Sequence, residues 1–132
     1  MSTIAFVTGA NKGIGFEAAR LLGATGITVL IGARDKGRGD AAVAALTKDG
    51  IVAHAVEIDV SSEASVIAAA KKVAEDFGRI DILVNNAGIQ SEKADGTRPK
   101  DLSLEMLRQT FDTNVFGAFA VIKYFVPLLR KS

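Results

Sequence analysis

The segment TGANKGIG, residues 8–15, places three glycines within seven residues directly behind the apolar run at residues 4–7. A short, continuous apolar run is typical of a strand that is buried on both faces of a sheet. A helix is predicted to begin at about Gly13 or Ile14, with an apolar face formed by Ile14, Ala18, Leu21 and Leu22. The segment is therefore expected to turn from a buried strand into a helix.

The rest of the chain repeats this alternation. Further strands are predicted at residues 27–31, 51–58 and 80–84. Further helices are predicted at residues 40–48, from a cap at Ser61 or Ser62 to Gly78, and from Ser103 almost to the C-terminus. Strands that alternate with helices predict a parallel sheet covered by helices on both faces, a three-layer α/β/α domain spanning residues 1–132.

Composition excludes several classes of function. The 132 residues carry a net charge of +1, which gives no support for nucleic acid or an anionic membrane as a partner. The absence of cysteine excludes disulfides, thiolate zinc sites and cysteine nucleophiles. His54 is the single histidine and lies in a predicted strand, so a metal site would have to be built from carboxylates alone. We therefore predict no metal site.

Neither end of the sequence indicates a membrane protein. The longest apolar stretch, Val115 to Leu129, is interrupted by Lys123 and is too short to cross a bilayer. The N-terminus lacks the basic segment of a signal peptide. The expected location is the cytoplasm.

The glycines suit an anion at the start of the first helix. A helix N-terminus presents unpaired N–H groups, and glycine lets a phosphate approach the backbone closely. The segment therefore predicts a pyrophosphate site, although an ordinary glycine-rich turn fits the same residues. Lys12 precedes Gly13 and Ile14, so the Gly-Lys-Ser/Thr ending of a nucleoside-triphosphate loop is absent.

Four motifs together carry a family resemblance. They are Thr8-Gly9-x-x-x-Gly13-x-Gly15, Asp59-Val60, Asn85-Asn86-Ala87-Gly88 and Asn114 within Thr113-Asn114-Val115-Phe116-Gly117. In this order and spacing the chain resembles the N-terminal half of short-chain dehydrogenases/reductases, most closely the carbonyl-reductase-like members. The resemblance implies a Rossmann-like sheet of four parallel strands in the order 3-2-1-4, truncated relative to a full short-chain dehydrogenase.

The resemblance also implies cofactor contacts. Gly9, Gly13, Ile14 and Gly15 would line the pyrophosphate, with Asn11 in the same loop, and Asp59, Val60, Asn86, Ala87 and Gly88 would contact the adenosine. Asn85 would hold the sheet together rather than touch the ligand. Singly, Asp59 also suits a helix cap, and Asn85 and Asn86 also suit a turn.

The second strand favours NADP(H) over NAD(H). NAD sites usually place an acid at the end of this strand, whereas the matching position here is Ala33. Lys12, Arg34 and Arg38 could converge on a 2′-phosphate, or the two arginines could belong to a solvated surface turn. Asp35 opposes the phosphate interpretation, because it could pair with Arg34 or repel the phosphate.

Most of the family's catalytic residues have no counterpart. The family uses a serine and a tyrosine four residues before a lysine, but Tyr124 is followed at that spacing by Leu128. Of the tetrad only Asn114 is present, and its role in the family is to support a proton relay. We therefore expect this chain alone to be inactive, with a small carbonyl as substrate only if the missing half is supplied.

Association is predicted from two apolar surfaces. The fourth strand, Ile80–Val84, would have an unpaired edge, and the last helix is apolar on almost every side. We expect a homodimer through this helix, this edge or both. Alternatives to an NADP(H)-binding half are a self-associating structural fragment, an oxidoreductase active only when complemented and, more remotely, a flavodoxin-like sheet holding a flavin.

Overall fold

The computed structural model describes residues 3–86 and 117–132. Its elements, in chain order, are β1 (Ile4–Thr8), α1 (Gly13–Ala24), β2 (Thr28–Ala33), α2 (Lys36–Lys48), β3 (Ala53–Glu57), α3 (Glu63–Phe77), β4 (Ile82–Val84) and α4 (Ala118–Leu129). Each predicted strand is present, with bounds within two residues of those expected. The last helix was predicted from Ser103, which lies outside the described residues, and within them its C-terminal part is α4.

The four strands form one parallel sheet in the order β3-β2-β1-β4, as the family resemblance implied. Phe6 of β1 lies opposite Leu30 of β2 on one side and Leu83 of β4 on the other. Because the strands are parallel, the loops that follow β1, β2, β3 and β4 all leave from the carboxyl-terminal end of the sheet. This end of the sheet carries the predicted site.

Helices cover both faces of the sheet, which confirms the three-layer fold. Successive residues of β1 point to opposite faces, so Phe6 enters the core beneath α3 and α4, and Val7 enters the core beneath α1 and α2. Phe6 stacks on Phe125 of α4 with ring centroids 4.6 Å apart. Both faces of β1 are buried, and this explains its uninterrupted apolar sequence.

The predicted apolar face of α1 is wrong at Ile14 and Leu21, whereas Leu22 packs against the core as expected. The buried residues are Gly15, Ala19 and Gly23, whereas Ile14 is 77% exposed and Leu21 is 61% exposed. A Cβ added at Gly23 would collide with the Ile51 side chain, so only small residues allow this close approach to the sheet. The fully buried residues of the helix are thus small ones, and the larger Phe16 and Leu22 pack against the same core from partly buried positions.

Helix α2 begins earlier than predicted, and α3 ends as predicted. The segment from Asp35 to Gly39 was expected to be a turn, but α2 starts at Lys36 because the Asp35 carboxylate caps it. Ser62 caps α3 through the Ser65 N–H. Gly78 closes α3 in a left-handed conformation, with φ of 79°.

Candidate functional site

The loop between β1 and α1 needs glycine at two positions. Gly9 has φ of 62° and Gly13 has φ of 65°, a left-handed backbone that residues with a side chain rarely adopt. Between them, the Ala10 N–H donates to the Gly32 carbonyl of β2 over 3.1 Å. The loop is therefore held against the sheet and turns sharply into α1.

The N-terminus of α1 has no side-chain cap within the described ranges. Its N-cap residue, Lys12, is extended, with φ of −159°, and its side chain caps none of the first N–H groups. Helices α2 and α3, in contrast, are capped by Asp35 and Ser62. A Cβ added at Gly13 would meet no atom within 4 Å, so open space lies beside the first turn. Uncapped amides facing open space fit an anion.

A buried threonine joins the glycine loop to the end of β4. The Thr8 hydroxyl accepts a hydrogen bond from the Asn86 N–H at 2.9 Å. The Asn86 side-chain amide in turn donates to the Gly9 carbonyl at 3.4 Å. A Cβ at Gly15 would overlap this carbonyl and lie 2.6 Å from Asn86 Nδ2. The sequence motifs at Gly9, Gly15 and Asn86 thus meet at one point.

Asn85 has the structural role expected of it. Its side-chain oxygen lies 3.3 Å from the Thr8 hydroxyl, and its amide donates to the Ala118 carbonyl over 3.2 Å. It therefore ties β1 to the start of α4. The sequence predicts no separate role for Thr8, although it begins the glycine motif and places a hydroxyl at the end of an apolar strand.

Three of the predicted cofactor residues line one groove. Asn11, Lys12 and Arg38 border a cavity of ≈ 450 Å³ between the glycine loop and α2. Arg34 is exposed directly after β2 and does not line this groove. Ala33, at the end of β2, is buried and carries no acid. The structure thus brings Lys12 and Arg38 together with Asn11, whereas Arg34 lies outside this groove.

Asp59 and Val60 make local contacts after β3. The Asp59 carboxylate accepts hydrogen bonds from the Ser61 N–H at 3.0 Å and the Ser61 hydroxyl at 2.6 Å. These bonds form a turn before α3, whereas the helix cap considered for Asp59 is supplied by Ser62. Val60 packs so closely against the start of α4 that a Cβ at Gly117 would lie 2.8 Å from its carbonyl oxygen. Contact of either residue with adenine stays a prediction.

Some predicted residues lie outside the described residues, namely Ala87, Gly88 and Asn114. Tyr124 of α4 packs against the core as a partly buried residue, and its hydroxyl donates to the Glu63 carboxylate over 3.2 Å. In residues 3–86 and 117–132 no group of acidic or histidine side chains could hold a metal ion. Within the same ranges, no helix has the length and apolar character needed to cross a membrane.

Comparison with known proteins identifies the family. The short chain dehydrogenase family profile matches residues 3–132. A short-chain dehydrogenase/reductase from Stachybotrys chlorohalonatus is 47% identical over 131 residues, covering 96% of this chain and 47% of the relative. Mouse carbonyl reductase [NADPH] 1 is 38% identical over 128 residues, covering 96% of this chain and 45% of the relative.

A solved structure agrees with these relatives. The alcohol dehydrogenase from the archaeon Thermococcus sibiricus, complexed with 5-hydroxy-NADP, superposes with a TM-score of 0.85 at 32% identity. The match covers 99% of this chain and 55% of that one, so the chain spans about half the length of the proteins it resembles. The chain therefore belongs to the short-chain dehydrogenase family.

Proposed function

We propose that this chain is the NADP(H)-binding half of a short-chain dehydrogenase/reductase. The single observation that carries the proposal is the uncapped N-terminus of α1, open to solvent beside a glycine loop that Thr8 and Asn86 hold in place. Amides fixed in this way bind a pyrophosphate without further rearrangement. The residues proposed to line it are Gly9, Asn11, Gly13, Ile14 and Gly15.

The groove beside this loop supports NADP(H) rather than NAD(H). Lys12 and Arg38 line it, and Ala33 offers no carboxylate to hold a ribose 2′-hydroxyl. A 2′-phosphate there would be held by Lys12 and Arg38, with Arg34 reaching it from the end of β2. The mouse relative is named for NADPH and the Thermococcus structure holds 5-hydroxy-NADP, which favours the same cofactor.

The adenosine is proposed to lie across the ends of β3 and β4. Asp59 and Val60 would flank the adenine, and Asn86, Ala87 and Gly88 would pass the ribose. The Asp59 oxygen Oδ1 already accepts two hydrogen bonds from Ser61, which orients the carboxylate before any ligand arrives.

The complete protein is proposed to reduce carbonyls or oxidise alcohols. The cofactor supplies or accepts a hydride, while the residues of this chain bind and orient it. Asn114 is the single tetrad residue in this sequence and would support proton relay. Tyr124 is engaged with Glu63 and has Leu128 where the family has lysine. We therefore propose that these residues take part in carbonyl reduction only together with the missing half, which would supply the serine, tyrosine and lysine from another chain or from a longer parent.

Cofactor titration with two glycine variants tests the binding function. Gly13 and Gly26 both have positive φ, and an added Cβ would meet no atom within 4 Å at either. Gly13→Ala places a methyl beside the proposed phosphate, whereas Gly26→Ala carries similar backbone strain at the far end of α1. Calorimetry with NADPH should show binding to wild type and Gly26→Ala and at least about tenfold weaker binding to Gly13→Ala. Equal loss in both variants, or no binding by wild type, would contradict the proposal.

Self-association is the second proposal, and α4 carries it. Phe119 is 66% exposed and Ile122 is 49% exposed on the face of α4 turned away from the sheet. In the described residues β4 pairs only with β1, so its outer edge is a further candidate. We propose a homodimer through the helix at Val115–Leu129, of which α4 is the described part, through this edge, or through both.

Sedimentation at micromolar concentration tests the homodimer. The wild-type chain should sediment as a dimer, and Ile122→Lys should shift it toward the monomer. Ile67→Lys on α3, at a residue 42% exposed, is the matched control and should leave the dimer intact. A wild-type monomer would refute the proposal.

A further inference from the structure

The sequence leaves the role of Asp35 open, since a carboxylate between Arg34 and Arg38 is expected to repel a phosphate. The structure gives it a defined partner. Asp35 is the N-cap of α2, and its Oδ1 accepts a hydrogen bond from the Arg38 N–H at 2.9 Å. Its carbonyl also accepts from the Gly39 N–H at 3.0 Å. Asp35 therefore determines where α2 begins.

Asp35 and Arg38 line different grooves. Arg38 borders the ≈ 450 Å³ groove with Asn11 and Lys12. Asp35 borders a separate groove of ≈ 860 Å³ that runs along β3 between α2 and α3. The acid and the cation, although three residues apart, are thus divided between the two sides of the first turn of α2.

The first turn of α2 is closely packed against the Asp35 carboxylate and against the end of β2. A Cβ added at Gly37 would lie 3.2 Å from Asp35 Oδ1, and a Cβ at Gly39 would lie 3.3 Å from the Ala33 Cβ. Both distances are shorter than ordinary van der Waals contact, so a larger residue at either glycine would require its neighbour to shift by a few tenths of an ångström. Gly37 therefore leaves room for the Asp35 carboxylate, and Gly39 lets the first turn of α2 pack against Ala33 at the end of β2.

We propose that Asp35 is a positioning residue that gives the site its preference for NADP(H) over NAD(H). By capping α2 it draws residues 36–38 into the helix, which places Arg38 beside Lys12 instead of in a solvated turn. At the same time the cap holds the negative charge on the β3 side, away from the phosphate. This inference rests on the proposed cofactor function and concerns only its 2′-phosphate part.

Substitutions at Asp35 separate capping from charge. Asparagine and serine are both good N-caps, whereas alanine is not. Asp35→Asn and Asp35→Ser should therefore bind NADPH at least as tightly as wild type, because they keep the cap and remove a negative charge. Asp35→Ala should bind NADPH about tenfold more weakly, with NADH affinity unchanged to within about twofold. Calorimetric titration of both cofactors at one ionic strength measures this.

Gly78→Ala is the control for a general loss of stability. Gly78 has φ of 79° at the end of α3, and no atom lies within 4 Å of an added Cβ, so this variant introduces strain outside both grooves. It should melt at a lower temperature yet keep the wild-type ratio of NADPH to NADH affinity. Asp35→Ala should change that ratio.

Two results would overturn the inference. If wild type prefers NADPH and Asp35→Ala keeps the same preference, the cap does not position Arg38. If Asp35→Asn and Asp35→Ser lose the preference as Asp35→Ala does, the charge and not the cap is responsible. A wild type that binds neither cofactor refutes the proposed function itself, and the inference with it.

Discussion

Gly15 should be the most sensitive position in α1 for both folding and binding. A methyl group there would overlap the Gly9 carbonyl oxygen and lie 2.6 Å from Asn86 Nδ2. The carbonyl belongs to a loop that is tied to β2 through Ala10, so it cannot move without breaking other bonds. Gly15→Ala therefore has to displace the glycine loop, the Asn86 side chain or the helix.

Gly23→Ala on the same helix is the matched comparison. Gly23 also faces the sheet, but its added Cβ would meet the side chain of Ile51 instead of backbone. Overpacking of a core typically costs about 1–3 kcal/mol, partly offset by a gain of about 1 kcal/mol in helix propensity from glycine to alanine. We expect a net loss of about 1–2 kcal/mol in the free energy of unfolding at Gly15 and about 1 kcal/mol or less at Gly23.

Binding should separate the two variants more clearly than stability. Gly15→Ala disturbs the Asn86–Gly9 hydrogen bond and the first turn of α1, so NADPH affinity should fall at least about tenfold. Gly23→Ala should bind NADPH as wild type does. Urea unfolding measures the free energy of unfolding. Calorimetry at a temperature where wild type and both variants are folded measures the affinity for NADPH. Wild-type affinity in Gly15→Ala would refute the reasoning, since the loop would then tolerate the methyl.

Three further substitutions test contacts that hold the fold and the site. Thr8→Val should destabilise the chain by about 1–3 kcal/mol in urea unfolding, because the Asn86 N–H loses its acceptor, whereas Thr8→Ser should not. Asp81→Ala should lower the free energy of unfolding by a similar amount, about 1–3 kcal/mol. The Asp81 carboxylate accepts hydrogen bonds from the Ile4 N–H at 2.8 Å and from the Arg79 side chain at 3.2 Å. Phe125→Ala should cost about 3–5 kcal/mol, as the fully buried ring stacks on Phe6, and an unchanged midpoint there would contradict the described core.

The sequence predicts the strands better than it predicts the helix faces. Strand β1 is buried on both sides, and its short apolar run, which ends at a glycine-rich segment, indicates this directly. In α1 the large apolar residues Ile14 and Leu21 suggest the wrong face, because shape rather than hydrophobicity decides which side approaches the sheet. The start of α2 was missed because the charged residues after Asp35 resemble a turn until the cap is seen.

The same distinction applies to the site. The glycine loop is contiguous in sequence, so its turn into α1 could be predicted from local residues alone. The contact of Thr8 with Asn86 joins residues 78 apart, and no local pattern places them together. The Lys12–Arg38 groove likewise depends on where α2 starts, which the sequence left open.

The small residues of α1 explain why its fold and its proposed site cannot be separated. Burying Gly15, Ala19 and Gly23 removes less apolar surface from water than burying Ile14 and Leu21 would, so this packing is not the one that maximises hydrophobic stabilisation. What it gives instead is a short distance between helix and sheet. That distance lets the first turn of α1 reach the Gly9 carbonyl and the Asn86 amide, which fixes the uncapped N–H groups relative to the end of β4. A larger residue at Gly15, the position of this face that meets the Gly9 carbonyl, would move the first turn of the helix outward, and those amides would lose the position on which phosphate binding depends.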